Sequence, residues 1–90
     1  MDKISGVTRN GYKYSVNPAI KKDFDFLELA ERMQGGDNSI KTLKEMLICL
    51  LTENGFNKLK EHARKNCGCA DIEYMVAAIQ DICDNPELKN

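Results

Sequence analysis

Apolar residues change period along this chain, and each change marks a boundary between elements. Tyr12, Tyr14 and Val16 alternate with Lys13 and Ser15, the period-2 signature of a half-buried strand. Ahead of them Ile4, Gly6 and Thr8 share one parity. An arm ending at Thr8 is therefore set to pair back across Asn10-Gly11, where glycine accepts the positive φ of a hairpin turn. Gly6 weakens that arm, because a strand glycine has no side chain to pack. Asn17-Pro18 stops the alternation, since proline has no ladder donor and moves its predecessor out of helical geometry.

From about Asp23 the spacing turns helical. Phe26, Leu29, Ala30 and Met33 fall on one side of a first helix, with Asp25, Glu28, Glu31 and Arg32 largely away from it. Asp23 and Asp25 suit its positive N-terminus, and Gly35-Gly36 ends it. Asp37-Asn38-Ser39 offers caps to a second helix with its stripe at Ile40, Leu43, Leu47, Leu50 and Leu51. Met46, Ile48 and Cys49 spill beyond that stripe, so the later half of this helix is apolar nearly all round and reads as the hub. A break over residues 52–55 precedes a third helix on Phe56, Leu59 and Ala63, with Cys67 next in the same spacing where the helix is expected to fray near Asn66-Cys67-Gly68. A fourth, capped by Asp71, carries Ile72, Met75, Val76, Ile79, Ile82 and Cys83 until Asp84-Asn85-Pro86 ends it. The pattern predicts a mainly α fold: a short N-terminal β-hairpin, then a compact bundle of about four short helices. Residues 1–18 form the arm and 23–84 the bundle of a single domain, 1–90.

Composition narrows the function classes. Ninety residues build one core, and a core this small leaves a thin stability margin unless a partner or second copy adds to it. Thirteen basic and fourteen acidic side chains give a formal charge of −1, which supplies no global field for nucleic acid or an anionic membrane. No apolar run reaches the ~18 residues of a membrane span. The start, Met1-Asp2-Lys3-Ile4-Ser5-Gly6, lacks the apolar stretch of a signal peptide. The expectation is a protein that stays where it is made, with Cys49, Cys67, Cys69 and Cys83 as reduced thiols.

Candidate chemistry is sparse. His62, Cys67 and Cys69 lie close in sequence, but Cys67-Gly68-Cys69 is a C-x-C pair, whereas structural zinc uses wider-spaced ligand pairs. Cys49 and Cys83 fall on or beside apolar stripes, where a thiol packs as a small hydrophobe. A His62–Cys67 nucleophile lacks an orienting group and an oxyanion motif. Gly35-Gly36 runs into Asp37, which repels phosphate. These residues point to no catalytic site, metal or cofactor. Lys58, Lys60, His62, Arg64 and Lys65 make a basic run, and two short helices could imitate a helix-turn-helix, so a small DNA-binding regulator is the alternative. Glu61 interrupts the run, however, and the recognition helix would be acidic at Asp71, Glu73, Asp81 and Asp84.

Off-stripe apolar residues carry more. Phe24 and Leu27 leave the stripe of the first helix, Met46 and Ile48 that of the second, and Tyr74 that of the fourth. Core packing would explain any one of them, and Phe24 could staple a helix start. Five together exceed what a small monomer readily hides, and such patches bind proteins. Phe24, Leu27, Met46, Ile48 and Tyr74 are thus the candidate partner surface.

The stretch Asp23-Phe24-Asp25-Phe26-Leu27-Glu28-Leu29-Ala30-Glu31, the leucine-rich helix after it, and Leu51-Thr52-Glu53-Asn54-Gly55-Phe56 through Arg64 resemble the tail assembly chaperones of phages with long non-contractile tails. Gly11-Tyr12-Lys13-Tyr14, Gly68, the helix Ile72-Glu73-Tyr74-Met75 to Ile82, and the charged tail ending Lys89-Asn90 extend the resemblance over nearly the whole chain. Cys67 and Cys69 depart from it, standing where polar loop residues are expected. The resemblance implies a non-catalytic role in virion assembly in the host bacterial cytoplasm, without a place in the mature virion. Chaperones of this kind coat the tape measure protein and release it as tail tube protein polymerises. A frameshifted longer form recruits the tube subunits, and the chain here would be the shorter form. Self-association along the target suits such coating, making a homo-oligomer the expected state, with neither nucleic acid nor membrane as partner.

Overall fold

A computed structural model describes residues 3–88; Met1-Asp2 and the end of the charged tail at Lys89-Asn90 lie outside the described residues. Strands β1 (Ile4–Val7) and β2 (Lys13–Val16) pair antiparallel in the register Ile4↔Val16, Ser5↔Ser15, Gly6↔Tyr14 and Val7↔Lys13. The turn between them is closed by Gly11 N–H donating to the Thr8 carbonyl at 2.9 Å and Thr8 N–H donating to the Tyr12 carbonyl at 2.9 Å. Gly11 has φ 87°, the left-handed value that glycine adopts without a Cβ penalty. Ile4, Thr8, Tyr14 and Val16 are buried, as their shared parity predicts. Gly6 has a packing reason: a Cβ there would stand 2.5 Å from the Tyr14 hydroxyl, so its bare backbone makes room for the cross-strand ring.

After a 3-10 turn at Pro18–Lys22, capped by Asn17, come three helices: α1 (Phe24–Gln34), α2 (Ile40–Cys67) and α3 (Ile72–Cys83). Ser39 and Asp71 cap as the sequence predicts, and Asp23, expected only as negative charge at the helix start, is also a cap. Asp23 accepts from Phe26 N–H at 3.0 Å, Ser39 from Thr42 N–H at 3.3 Å and Asp71 from Tyr74 N–H at 3.1 Å. Gly68, at φ 83°, ends α2.

The architecture is mainly helical with a short N-terminal hairpin, but it has three helices where the periodicity predicts about four. The expected break lies inside α2: Thr52 takes φ 68° and ψ 169°, and helix resumes immediately beyond it. Thr52 Oγ1 accepts from Gly55 N–H at 3.4 Å, capping the resumed turn. Gly55 stands so close to the bend that a Cβ there would meet Leu51 Cβ at 2.9 Å. Redirected in this way, Phe56, Leu59 and Ala63 join Leu43, Met46, Leu47 and Leu50 in one core with Leu29, the hairpin's inner face and Tyr74, Met75, Ala78, Ile79 and Ile82.

Polar links fix the hairpin to the bundle. Arg9, at the hairpin turn, donates to Asp81 of α3 from its backbone N–H at 2.7 Å, from Nη2 at 2.8 Å and from Nε at 3.1 Å. Asn85 Nδ2 donates to the Tyr14 hydroxyl at 2.9 Å and the Ser5 carbonyl at 3.3 Å. Among the described residues, no helix is long and apolar enough to cross a membrane.

Two predictions follow from this geometry. A threonine at positive φ stores ~1–3 kcal/mol of backbone strain. Replacing its cap with glycine costs only a few tenths of a kcal/mol, and the freer unfolded chain costs ~0.5–1 kcal/mol. Thr52→Gly is therefore expected to raise stability in urea unfolding by about 1 kcal/mol, while Thr52→Ala keeps the strain, loses the cap and lowers it by about 1 kcal/mol. A destabilised glycine variant contradicts the strain account. For Asp81, the hydrogen bond from the Arg9 guanidinium holds the carboxyl below its ordinary value. The stability it contributes is complete above the unfolded carboxylate value of ~3.9 and is lost as pH falls through the lowered folded value. Asp81→Asn should lower the urea midpoint at about pH 7, and the gap to wild type should close toward about pH 2.

Candidate functional site

The five candidate residues divide. Phe24 is 76% exposed and Leu27 52%, whereas Met46 is 1% and Tyr74 5% exposed. Ile48 is half-buried against the core and lines a shallow depression between α1 and α2 with Glu28, Leu29, Arg32 and Glu45. Met46 and Tyr74 are accordingly corrected from surface to core. Both fail as surface residues for one reason: a stripe drawn from two or three residues is narrower than the contact a helix makes when several elements lie on it. The hairpin strand β2, α1 and α3 all pack on α2, so Met46, one turn from Leu43 and from Leu50, is enclosed. Tyr74, one turn before Ala78, turns inward on α3, with its ring tilted against His62 at a centroid distance of 5.9 Å.

Phe24 and Leu27 are brought together on α1. Counted along that helix, Phe24, Leu27, Glu28 and Glu31 occupy positions i, i+3, i+4 and i+7, one continuous face. Phe26, Leu29, Ala30 and Met33, opposite, pack against the core. α1 thus presents large apolar side chains on both sides, the inner set packed on the core with Leu29 buried and the outer pair in solvent. Glu28 and Glu31 share the face of the outer pair, with Arg32 pairing Glu28 at 3.8 Å, while Asp23 caps the helix and Asp25 borders the depression between α1 and α2. Among the described residues, three further large apolar side chains are exposed and escape the off-stripe criterion: Val7, Ile40 and Ile72. Ile40 and Ile72 are each the first residue of a helix and sit on its stripe by spacing. Periodicity places them inward, but a first residue can overhang the end of whatever its stripe packs on. Ile72 borders a depression of about 500 Å³ with Val76, Ala77, Gln80 and Arg9.

The polar groups weighed for chemistry have structural engagements. The Tyr74 hydroxyl meets His62 Nδ1, and Asn66 Nδ2 donates to the same nitrogen at 3.2 Å and to the His62 carbonyl at 2.8 Å. The Tyr12 ring stands edge-on to His62 at 5.5 Å, and its hydroxyl donates to the Gly55 carbonyl at 3.2 Å, joining the hairpin to the bend. In the basic run, Lys60 lies over the Phe56 ring at 4.7 Å and Arg64 pairs with Glu61. Cys49 and Cys83 are half-buried against the core, while Cys67 and Cys69 are exposed. Burial, assisted by Asp84, pushes the Cys83 thiol up to about 11, and burial raises Cys49 as well; both are poor nucleophiles at neutral pH.

Comparison with protein-family models, curated proteins and solved structures returns no match for this chain. The geometry of the α1 face therefore stands as the basis for a functional reading.

Burial separates two variants that sequence spacing would treat alike. Met46→Ala is expected to cost about 2–5 kcal/mol of stability, whereas Phe24→Ala, outside the core, should change it by less than ~0.5 kcal/mol. Urea unfolding followed by circular dichroism measures both. Similar losses in the two variants would contradict the division of the site.

Proposed function

We propose that this protein is a non-catalytic tail assembly chaperone that covers apolar segments of a tape measure protein in the host bacterial cytoplasm and yields them to tail tube protein. The resemblance of its aromatic-acidic first helix and leucine-rich second helix to that family supplies the class. The observation that carries the reading is the outward exposure of Phe24 and Leu27 on one face of α1, opposite the face the helix gives to its own core. Exposed paired apolar groups on an otherwise charged helix suit binding to another protein's apolar surface.

Magnitudes support a coating role rather than a tight one-to-one complex. Burying Phe24 and Leu27 gives ~1.5–3 kcal/mol each, against ~4–15 kcal/mol for lost rigid-body freedom on association. One copy alone binds weakly. Many copies along one long target, aided by contacts among themselves, hold it collectively and leave each copy displaceable. This matches a homo-oligomer that must give way to polymerising tube protein, with a frameshifted longer form bringing the tube subunits.

Co-expression with the tape measure protein from the same genome tests the reading. The wild-type chain should keep that protein in the soluble fraction, and the double variant Phe24→Asp with Leu27→Asp should lose most of this effect while retaining helical content. Precipitation of the tape measure beside folded wild-type chain would remove the proposal.

A further inference from the structure

The outer face of α1 carries a charge pattern that selects its occupant. Of the four carboxylates from Asp23 to Glu31, Glu28 and Glu31 lie on that face, Asp23 caps the helix and Asp25 borders the depression toward α2; no basic residue stands among them, and the neighbouring Arg32 answers Glu28. Asp25 and Glu31 make no ion pair among the described residues. Glu28 and Glu31 share the face with Phe24 and Leu27, so anything that buries the apolar pair comes within reach of those carboxylates. Such an occupant either supplies positive charge or leaves Glu31 desolvated and unanswered and Glu28 with only its long, exposed pairing to Arg32, which is costly.

We infer that this face binds a helix whose apolar stripe is flanked by lysine or arginine. A helix is the fitting shape, because residues at i, i+3, i+4 and i+7 form a ridge that packs into the grooves of a second helix. The inference rests on the chaperone reading for its setting and names the chemistry of the target segment: basic and amphipathic, not merely apolar. A second copy presenting the same face would set carboxylates opposite carboxylates, and acidic segments are rejected for the same reason.

Two synthetic amphipathic helical peptides serve as probes, with identical leucine stripes at i, i+3, i+4 and i+7, one flanked by lysines and the other by glutamates. Titrated into the full chain at ~0.05 M salt, the lysine-flanked peptide should bind at least ~10-fold more tightly. At ~1 M salt, where screening acts within ~3 Å, that preference should largely vanish. Glu28→Lys with Glu31→Lys should reverse the preference. Phe24→Asp with Leu27→Asp should abolish binding of both peptides, and circular dichroism checks that each variant keeps its helices. Equal affinities, absence of binding, or a preference unchanged by the charge reversal overturns the inference. So does sedimentation showing that copies of the chain associate through Phe24 and Leu27, which would make a second copy the occupant. The chaperone reading fails separately: lysine-peptide binding without tape measure solubilisation removes that reading and leaves this face, whereas solubilisation by the Phe24→Asp, Leu27→Asp variant does the reverse.

Discussion

Enclosure of α2 is the constraint on which the rest of the fold depends. A chain of this size has enough surface to cover one helix on most sides, and β2, α1 and α3 are all committed to that task. Met46, Leu47, Leu50 and Leu59 disappear from solvent as a result. The covering elements cannot themselves be covered. α1 lies on α2 with Leu29 and its neighbours, and among the described residues nothing covers Phe24 and Leu27 on its outer side. Exposure of Phe24 and Leu27 is therefore a consequence of layer count: the outermost layer of a two-layer domain always has one free face, and here that face is apolar.

The bend at Thr52 serves the same constraint. A straight helix over Ile40–Cys67 would run ~42 Å at 1.5 Å per residue, beyond the 35 Å longest extent of the molecule. Turning the backbone at one residue returns Phe56, Leu59 and Ala63 to the core that Leu43 and Leu47 begin. The hydrogen bond from Tyr12 to the Gly55 carbonyl then ties the hairpin to the first turn beyond the bend. Local strain at Thr52 is thus offset by the apolar burial that the change of direction permits. The His62–Tyr74–Asn66 cluster next to it holds α3 against the second half of α2.

Sequence spacing revealed direction better than depth. Strand parity placed Tyr14 and Val16 inward, and Ser39 and Asp71 were readable as capping groups because each stands just ahead of a helical period, whereas Asp23 was readable only as negative charge at a helix start. The break near Thr52 was readable too, although the chain crosses it with one distorted residue instead of a loop. Depth was not readable, because a helical wheel says which way Met46 and Tyr74 point relative to their own helix and nothing about how many other elements converge there. Phe24 and Leu27, with the same off-stripe signal, lie on a helix that only one layer reaches. The same limit explains Ile40 and Ile72, whose periodicity is correct but whose position at a helix start leaves them exposed. Gly6 illustrates a different gap: its purpose lies in the Tyr14 ring across the sheet, a relation of register that its own neighbours in sequence do not display.

The arrangement on α1 has a further physical consequence. An exposed phenylalanine one turn from an exposed leucine is a nucleus for nonspecific association, and a chain whose charge totals only −1 has little global repulsion to prevent it. Local charge takes over that role. Glu28 and Glu31 place like charges beside the two large apolar side chains exposed on α1, so two such faces approaching each other meet repulsion before their apolar groups touch. Over a Debye length of ~8 Å at physiological salt this filter acts at contact range alone. It leaves diffusion of the chain unaffected while discriminating among surfaces that reach the face. An apolar site of this kind can remain open in solution and still be selective, because its two requirements, burial and charge, are read at the same place and must be met together.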